Sequence, residues 1–330
     1  MSGWTRRAFM AAGIAAPTLG WADTPRFANA LARATEMTQL HALVIAQDGE
    51  VILGEAIRGP ALDRPVNVKS VSKSVISALT GIAIDRGEIA GLDTKVAPLI
   101  GNQVPRRADP RVRDITVRHM LTMQSGLREV SGAAYGDWVD SKFWIYDALS
   151  KPMIADPGTE MLYSTASYHV LGSILSTVAG QNLHKLANDR LGVPLGVAFP
   201  PWTRDPQGLY LGGNDMRISP LGLLQFGEMY RLGGLVGEAR VLTEDWVGQS
   251  WARYGASKET GHGYGFGWFL WEANGHRIAY ARGFGGQMIF IVPELAMTVV
   301  MTSNAGRPAR MDGHLGDIFA LLAEEILGDA

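Results

Sequence analysis

The chain has 330 residues, a net charge of −2 with acidic and basic residues interspersed, and no cysteine. That length can bury a large core and form two subdomains; the charge lacks the basic stripe of a nucleic-acid binder, and without cysteine there are no disulfides, zinc ribbons or thiol nucleophiles. The seven histidines (41, 119, 169, 184, 262, 276, 314) form no His-x-His or His-Glu-x-x-His pair, so no metal and no other cofactor is expected.

At the N-terminus, Arg6-Arg7 precedes an apolar stretch from Phe9 to Leu19, and Gly20-Trp21-Ala22 offers small residues at the cleavage positions. This order predicts a twin-arginine signal peptide over residues 1–22, a mature start near Asp23, and export of the folded protein to the periplasm or beyond. The apolar run is too short for stable membrane insertion of the mature protein. A short helix follows from Pro25 to Met37. His41 to Ala56 reads as a β-hairpin, because Asp48-Gly49 separates two apolar runs.

A polar loop from Arg58 to Val68 leads to Lys69-Ser70-Val71-Ser72-Lys73, where Ser70 is the only serine of the chain in the pattern Ser-x-x-Lys. The run Val71, Val75, Ala78, Leu79, Ile82 and Ala83 predicts a buried helix that starts near Val68 and stops at Gly87. Spacing of three puts the Ser70 hydroxyl and the Lys73 amine on one face within a turn. Burial lowers a lysine pKa toward a free amine, which is what a serine nucleophile needs. Four residues are a weak signal in a chain with seventeen serines and seven lysines, so the rest of the chain has to decide.

The middle of the chain reads as mostly helical: a helix behind the Thr116 N-cap, then Thr165 to Val178 and Pro220 to Leu232. Tyr163 ends an extended segment just before the second of these. A phenol there can share a proton with a lysine amine, although a core tyrosine would have the same local sequence. The last stretch reads as strands: Gly263 to Glu272, His276 to Arg282, Gln287 to Val292 and Leu295 to Ser303, with a closing helix from Asp312 to Leu327. Glycines 283, 285 and 286 interrupt this region, which suits either a bulge or a main-chain N–H aimed at a reacting carbonyl. The early hairpin cannot stand alone in water. Pairing it with the late meander predicts an α+β architecture: one antiparallel sheet built from about residues 23–60 and 240–330, and a helical subdomain over about 61–239.

In order, these pieces resemble the serine β-lactamase and penicillin-recognising superfamily, in particular its class C-like branch of esterases, D-amino-acid peptidases and nylon-oligomer (6-aminohexanoate-dimer) hydrolases. Ser70-Val-Ser-Lys73 looks like the first motif, Ile115 to Leu127 is similar to the stretch after it, and Tyr163-Ser164-Thr165 looks like the Tyr-x-Asn motif. Tyr264 to Trp268 and Arg282 to Gln287 resemble the C-terminal strands. The resemblance implies an exported serine hydrolase of small esters or amides that works through an acyl-enzyme. Ser70 would be the nucleophile, Lys73 and Tyr163 the proton-handling pair, and the Ser70 and Phe284 N–H groups the oxyanion hole. Thr165, Ala281, Arg282, Gly283 and Gln124 would line the substrate site. A β-lactamase or D-amino peptidase, or a binding module without turnover, are the alternatives on the same scaffold.

Two positions depart from the motifs: Thr165 stands where asparagine is usual, and Ala281 where lysine or histidine is usual. Side chains alternate along a strand, so with Gly283 toward the pocket Ala281 faces it too, and Arg282 is expected to point away. A pocket without that cation would favour neutral short-chain esters over cephalosporins, whereas a one-residue bulge would aim Arg282 inward. For the signal, exchange of Arg6 and Arg7 for lysine should trap the precursor, and N-terminal sequencing of exported protein should begin near Asp23.

Overall fold

The computed structural model describes residues 27–310 and 312–328; the expected signal over residues 1–22 lies outside them. Helix α1 (Ala28–Glu36) leads into the hairpin of β1 (Leu40–Gln47) and β2 (Glu50–Ala56). Asp48 and Gly49 both take positive φ, 52° and 85°. That backbone matches the twist of a two-residue hairpin loop, which is why Asp-Gly supports it.

Six late strands complete the sheet: β3 (Gly255–Ala256), β4 (Gly263–Tyr264), β5 (Phe269–Ala273), β6 (His276–Gly283), β7 (Gln287–Val292) and β8 (Met297–Ser303). Their order across it is β2-β1-β8-β7-β6-β5-β4-β3. The joint between the chain ends is the antiparallel pair β1 and β8, running from Leu40 opposite Ser303 to Gln47 opposite Met297. The fold is thus α+β, with one antiparallel sheet drawn from both ends of the chain.

Every residue of β7 and β8 is buried, because helices cover both faces of the sheet. The helices that matter to the site are α2 (Ser72–Asp85), α3 (Thr165–Ala179), α4 (Pro220–Arg231) and α5 (His314–Ala320). On one face α4 lies directly on the strands: a Cβ added at Gly227 would come within 2.8 Å of Thr298 and 3.0 Å of Ile289. α4 therefore belongs with the sheet, although the sequence reading grouped it with the helical residues 61–239. On the other face Phe319 of α5 meets Trp271, Tyr280 and Phe290 edge-on. Beyond α5, Glu324 and Glu325 ion-pair with Arg33 of α1, which ties the two terminal helices together.

Two further expectations needed revision. The single strand from Gly263 to Glu272 is broken, because Gly265 and Gly267 dock against other backbone: an added Cβ would lie 2.0 Å from the Ser250 carbonyl and 3.0 Å from the Lys73 carbonyl. Ser74 Oγ donates to the Gly267 carbonyl at 2.7 Å, so the break locks the sheet onto α2 beside Lys73. The last strand begins at Met297, not Leu295, since Pro293–Leu295 forms a 3₁₀ turn and Ala296 adopts φ 47°. The nucleophile helix starts after Val68 as expected, with a 3₁₀ turn over Lys69–Val71 leading into α2.

Phe290 is fully buried between the layers. Phe290→Ala should lower unfolding stability by about 3–5 kcal/mol. A urea unfolding curve showing a loss below about 1 kcal/mol would contradict a sheet clamped on both faces.

Candidate active site

The site grows from the turn before α2. Asn67 Oδ1 accepts the Lys69 N–H at 2.9 Å, and Lys69 adopts φ 51°, a left-handed conformation that is costly for a side-chain-bearing residue. Ser72 Oγ donates to the Lys69 carbonyl at 2.5 Å and accepts the Met216 N–H at 3.1 Å. Between these anchors stands Ser70, on the wall of a cavity of about 550 Å³.

Lys73 is 1% exposed. Its Nζ lies 2.9 Å from Ser70 Oγ, 3.2 Å from Thr165 Oγ1 and 2.6 Å from the Gly213 carbonyl. Burial lowers its pKa to about 7, against a smaller opposing pull from Asp215. A carbonyl can only accept, so the amine must donate to Gly213; a neutral amine with a second N–H on Thr165 keeps its lone pair for the Ser70 hydroxyl. Gly213 has to be glycine here, because a Cβ would lie 2.6 Å from the Thr165 carbonyl. Thr165 is held in turn by its N–H, which donates to the Val130 carbonyl at 2.9 Å and to Ser131 Oγ at 3.2 Å.

The Tyr163 ring centroid lies 5.1 Å from Lys73 Nζ. The ring stacks on Phe269 at 6.0 Å and meets Tyr264 edge-on at 6.1 Å. Burial pushes its phenol pKa up, while a hydrogen bond with Ser70 and the Arg282 charge pull it back. The phenol is therefore protonated at neutral pH.

The third side is the end of β6. A Cβ on Gly283 would sit 2.4 Å from the Val68 carbonyl and 3.0 Å from Lys69 Cβ, so only glycine lets the strand press on the nucleophile turn. The next residue, Phe284, also lines the cavity and is 52% exposed. Among the described residues, neither the Ser70 nor the Phe284 N–H donates to another protein group. Two free donors on adjoining segments suit a developing oxyanion.

Of the residues singled out in the sequence, Ser70, Tyr163, Thr165, Arg282, Gly283 and Phe284 line one cavity, with Lys73 buried behind Ser70. Two do not join them. Gln124 is buried and donates its amide to the Tyr254 carbonyl at 3.1 Å, so it braces a loop and is not on the cavity wall. Ala281 is 1% exposed and takes no part in the cavity wall.

Arg282, expected to point away, is on that wall. No bulge puts it there: Arg282 faces Met288 and Gly283 faces Gln287 in regular register. Alternation fixes where a Cβ points, but the guanidinium reaches well beyond its Cβ. It lies over the Phe269 ring at 5.1 Å and pairs with Glu259 at 2.9 Å, and Arg310 binds the same carboxylate. Glu259 and Arg310, along with Ser131, Tyr135 and Asn214, also line the cavity, and none of them belongs to a motif singled out in the sequence. Only the glycines at 212 and 213 hinted at close backbone approach beside Asn214.

The beta-lactamase family model matches residues 35–323. Esterase EstB of Burkholderia gladioli is 28% identical over 176 residues, which take in 47% of this chain and 44% of the esterase. The chain thus spans less than half the length of the curated relatives it matches. Among solved structures, a putative beta-lactamase from Bacteroides dorei superposes with a TM-score of 0.76 at 17% identity, over 91% of this chain and 99% of the other. EstCE1, described as a hydrolase with promiscuous acyltransferase activity, superposes with a TM-score of 0.73 at 21% identity, over 90% and 98%. At such identities these superpositions speak for the fold alone.

The Lys73 amine can take a proton only when neutral, and its pKa is about 7. Modification of Ser70 by a fluorophosphonate should therefore slow as pH falls through about 7, reaching half its plateau rate there. Lys73→Arg, always protonated, should abolish labelling at every pH. A wild-type rate that stays flat between about pH 6 and 8 would exclude the neutral amine as the proton acceptor.

Proposed function

Because the chain belongs to the beta-lactamase family, we propose that it is a serine hydrolase that cleaves small esters, and more slowly amides, through an acyl-enzyme on Ser70. The carrying observation is the 2.9 Å contact between Ser70 Oγ and a buried Lys73 amine whose pKa is about 7.

In this reading Lys73 accepts the Ser70 proton as Oγ attacks the carbonyl carbon. The resulting oxyanion takes the N–H groups of Ser70 and Phe284. Tyr163, a neutral phenol at the other side of Ser70, donates its proton to the leaving oxygen or nitrogen and is reprotonated from Lys73. Water then attacks the acyl carbon with the same groups acting in reverse. The lowered lysine pKa and raised tyrosine pKa favour this assignment over a tyrosinate base.

A second reading, a β-lactamase or D-amino peptidase, draws on Arg282 and Arg310 in the cavity wall. Glu259 sits on both guanidiniums and offsets much of their pull on a substrate carboxylate. The exposed Phe284 and the neighbouring Pro308, Ala309 and Leu315 suit an apolar acyl or alcohol group better. A binding module without turnover has no need of a neutral amine against its serine. We also propose export through residues 1–22 as the route to the substrate.

Ser70→Ala should abolish p-nitrophenyl ester hydrolysis and the mass shift left by a fluorophosphonate, a loss of at least about 10³-fold. Ser72→Ala should retain covalent labelling. Esters should exceed a chromogenic cephalosporin in kcat/KM. Labelling that survives Ser70→Ala would sink the assignment, and a cephalosporin turned over as well as the esters would favour the second reading.

A further inference from the structure

Lys69 and Asp215 flank the catalytic pair, and the hydrolase reading gives neither a part. Asp215 Oδ1 accepts from Lys69 Nζ and from Asn67 Nδ2, each at 2.9 Å, and Thr203 Oγ1 donates to Oδ2 at 3.3 Å. Asn67 also holds the Lys69 N–H. The ion pair is mostly buried, with 22% of the Lys69 and 18% of the Asp215 side chain exposed.

Both residues are left-handed, at φ 51° and φ 63°. Such conformations persist only where the surroundings over-determine them. One directly precedes Ser70. The other lies two residues after Gly213, whose carbonyl takes the Lys73 amine. The two segments are stitched together again by Val68 N–H to the Met216 carbonyl at 3.0 Å and by pairing of Val66 with Ile218. This mostly buried ion pair joins two strained turns that carry opposite halves of the site.

We infer that Asp215, bound to Lys69, is a positioning residue that holds Ser70 and the Lys73-binding carbonyl in mutual register and sets the charge felt by Lys73. The inference rests on the Ser70–Lys73 hydrolase reading. Asp215 is the anion that acts on Lys73, and it acts to raise its pKa. The other groups around Lys73 are the neutral Tyr163 ring from the segment before α3, the Thr165 hydroxyl from α3, and the paired Lys69 on its own turn. Across the cavity Arg282 and Arg310 each pair with Glu259, and Tyr135 is hydrogen-bonded to Asn214.

The test compares Asp215→Asn and Lys69→Met by the pH dependence of Ser70 fluorophosphonate labelling, with the Lys73 side-chain pKa followed by ¹³C NMR. Each variant should lower the plateau labelling rate about 10- to 100-fold, as expected for a misplaced nucleophile. Their midpoints should move in opposite directions. Removing the anion lets Lys73 lose its proton at lower pH, whereas removing Lys69 leaves Asp215 unpaired and moves the midpoint up. A fall in rate without these opposed shifts would overturn the inference, as would plateau rates within twofold of wild type. If Asp215→Asn does not fold, the upward shift in Lys69→Met decides alone. Wild-type protein that resists labelling would refute the hydrolase reading instead, and the NMR titration would still test the charge coupling.

Discussion

A buried primary amine, with no carboxylate of the described residues on its nitrogen, is the constraint from which the rest of the site follows. Burying a charged ammonium without a partner is expensive, so the proton is given up and the pKa falls. Lys73 meets this condition with a carbonyl, a hydroxyl and the Ser70 Oγ as its neighbours and with Asp215 acting only from beyond them. Direct contact with a carboxylate would keep the ammonium charged and useless as a base. Remoteness of the anion is therefore as much a part of the site as burial of the amine.

That burial is made by backbone pressed against backbone. Gly267 lets the broken sheet edge touch the Lys73 carbonyl, Gly213 lets the 212–216 loop touch α3, and Gly283 lets β6 touch the nucleophile turn. Any Cβ at these points would meet main-chain atoms at 3.0 Å or less. Three layers thus converge on Ser70 from the sheet, from α3 and from the loop before α4. The sheet can serve as one wall because its central strands are buried on both faces and do not shift independently of the helices.

The cavity wall is electrostatically mixed. Arg282 and Arg310 share Glu259, so the cavity carries charge without a free cation aimed at the nucleophile. On the opposite wall Asn214 and Tyr135 bond to each other, which leaves orientation to neutral dipoles. A substrate would meet apolar surface at Phe284 and Leu315 between these polar groups and Ser70.

The local chemistry of this protein was legible in its residues. Asp48-Gly49 between apolar runs specified the first hairpin, Thr116 marked a helix start, and the three-residue spacing of Ser70 and Lys73 put hydroxyl and amine on one turn. These are interactions between neighbours in the chain, for which spacing alone determines geometry. What tertiary structure decided lies between distant segments. Gln124 was drawn to the carbonyl of Tyr254, Arg282 reached Glu259 across Phe269, and the strand expected through Gly265 broke where it met Ser250. Asp215 came to Lys69 from 146 positions away. No periodicity encodes such meetings, because a long side chain is free of the alternation that governs its Cβ, and a glycine's purpose depends on which backbone arrives against it.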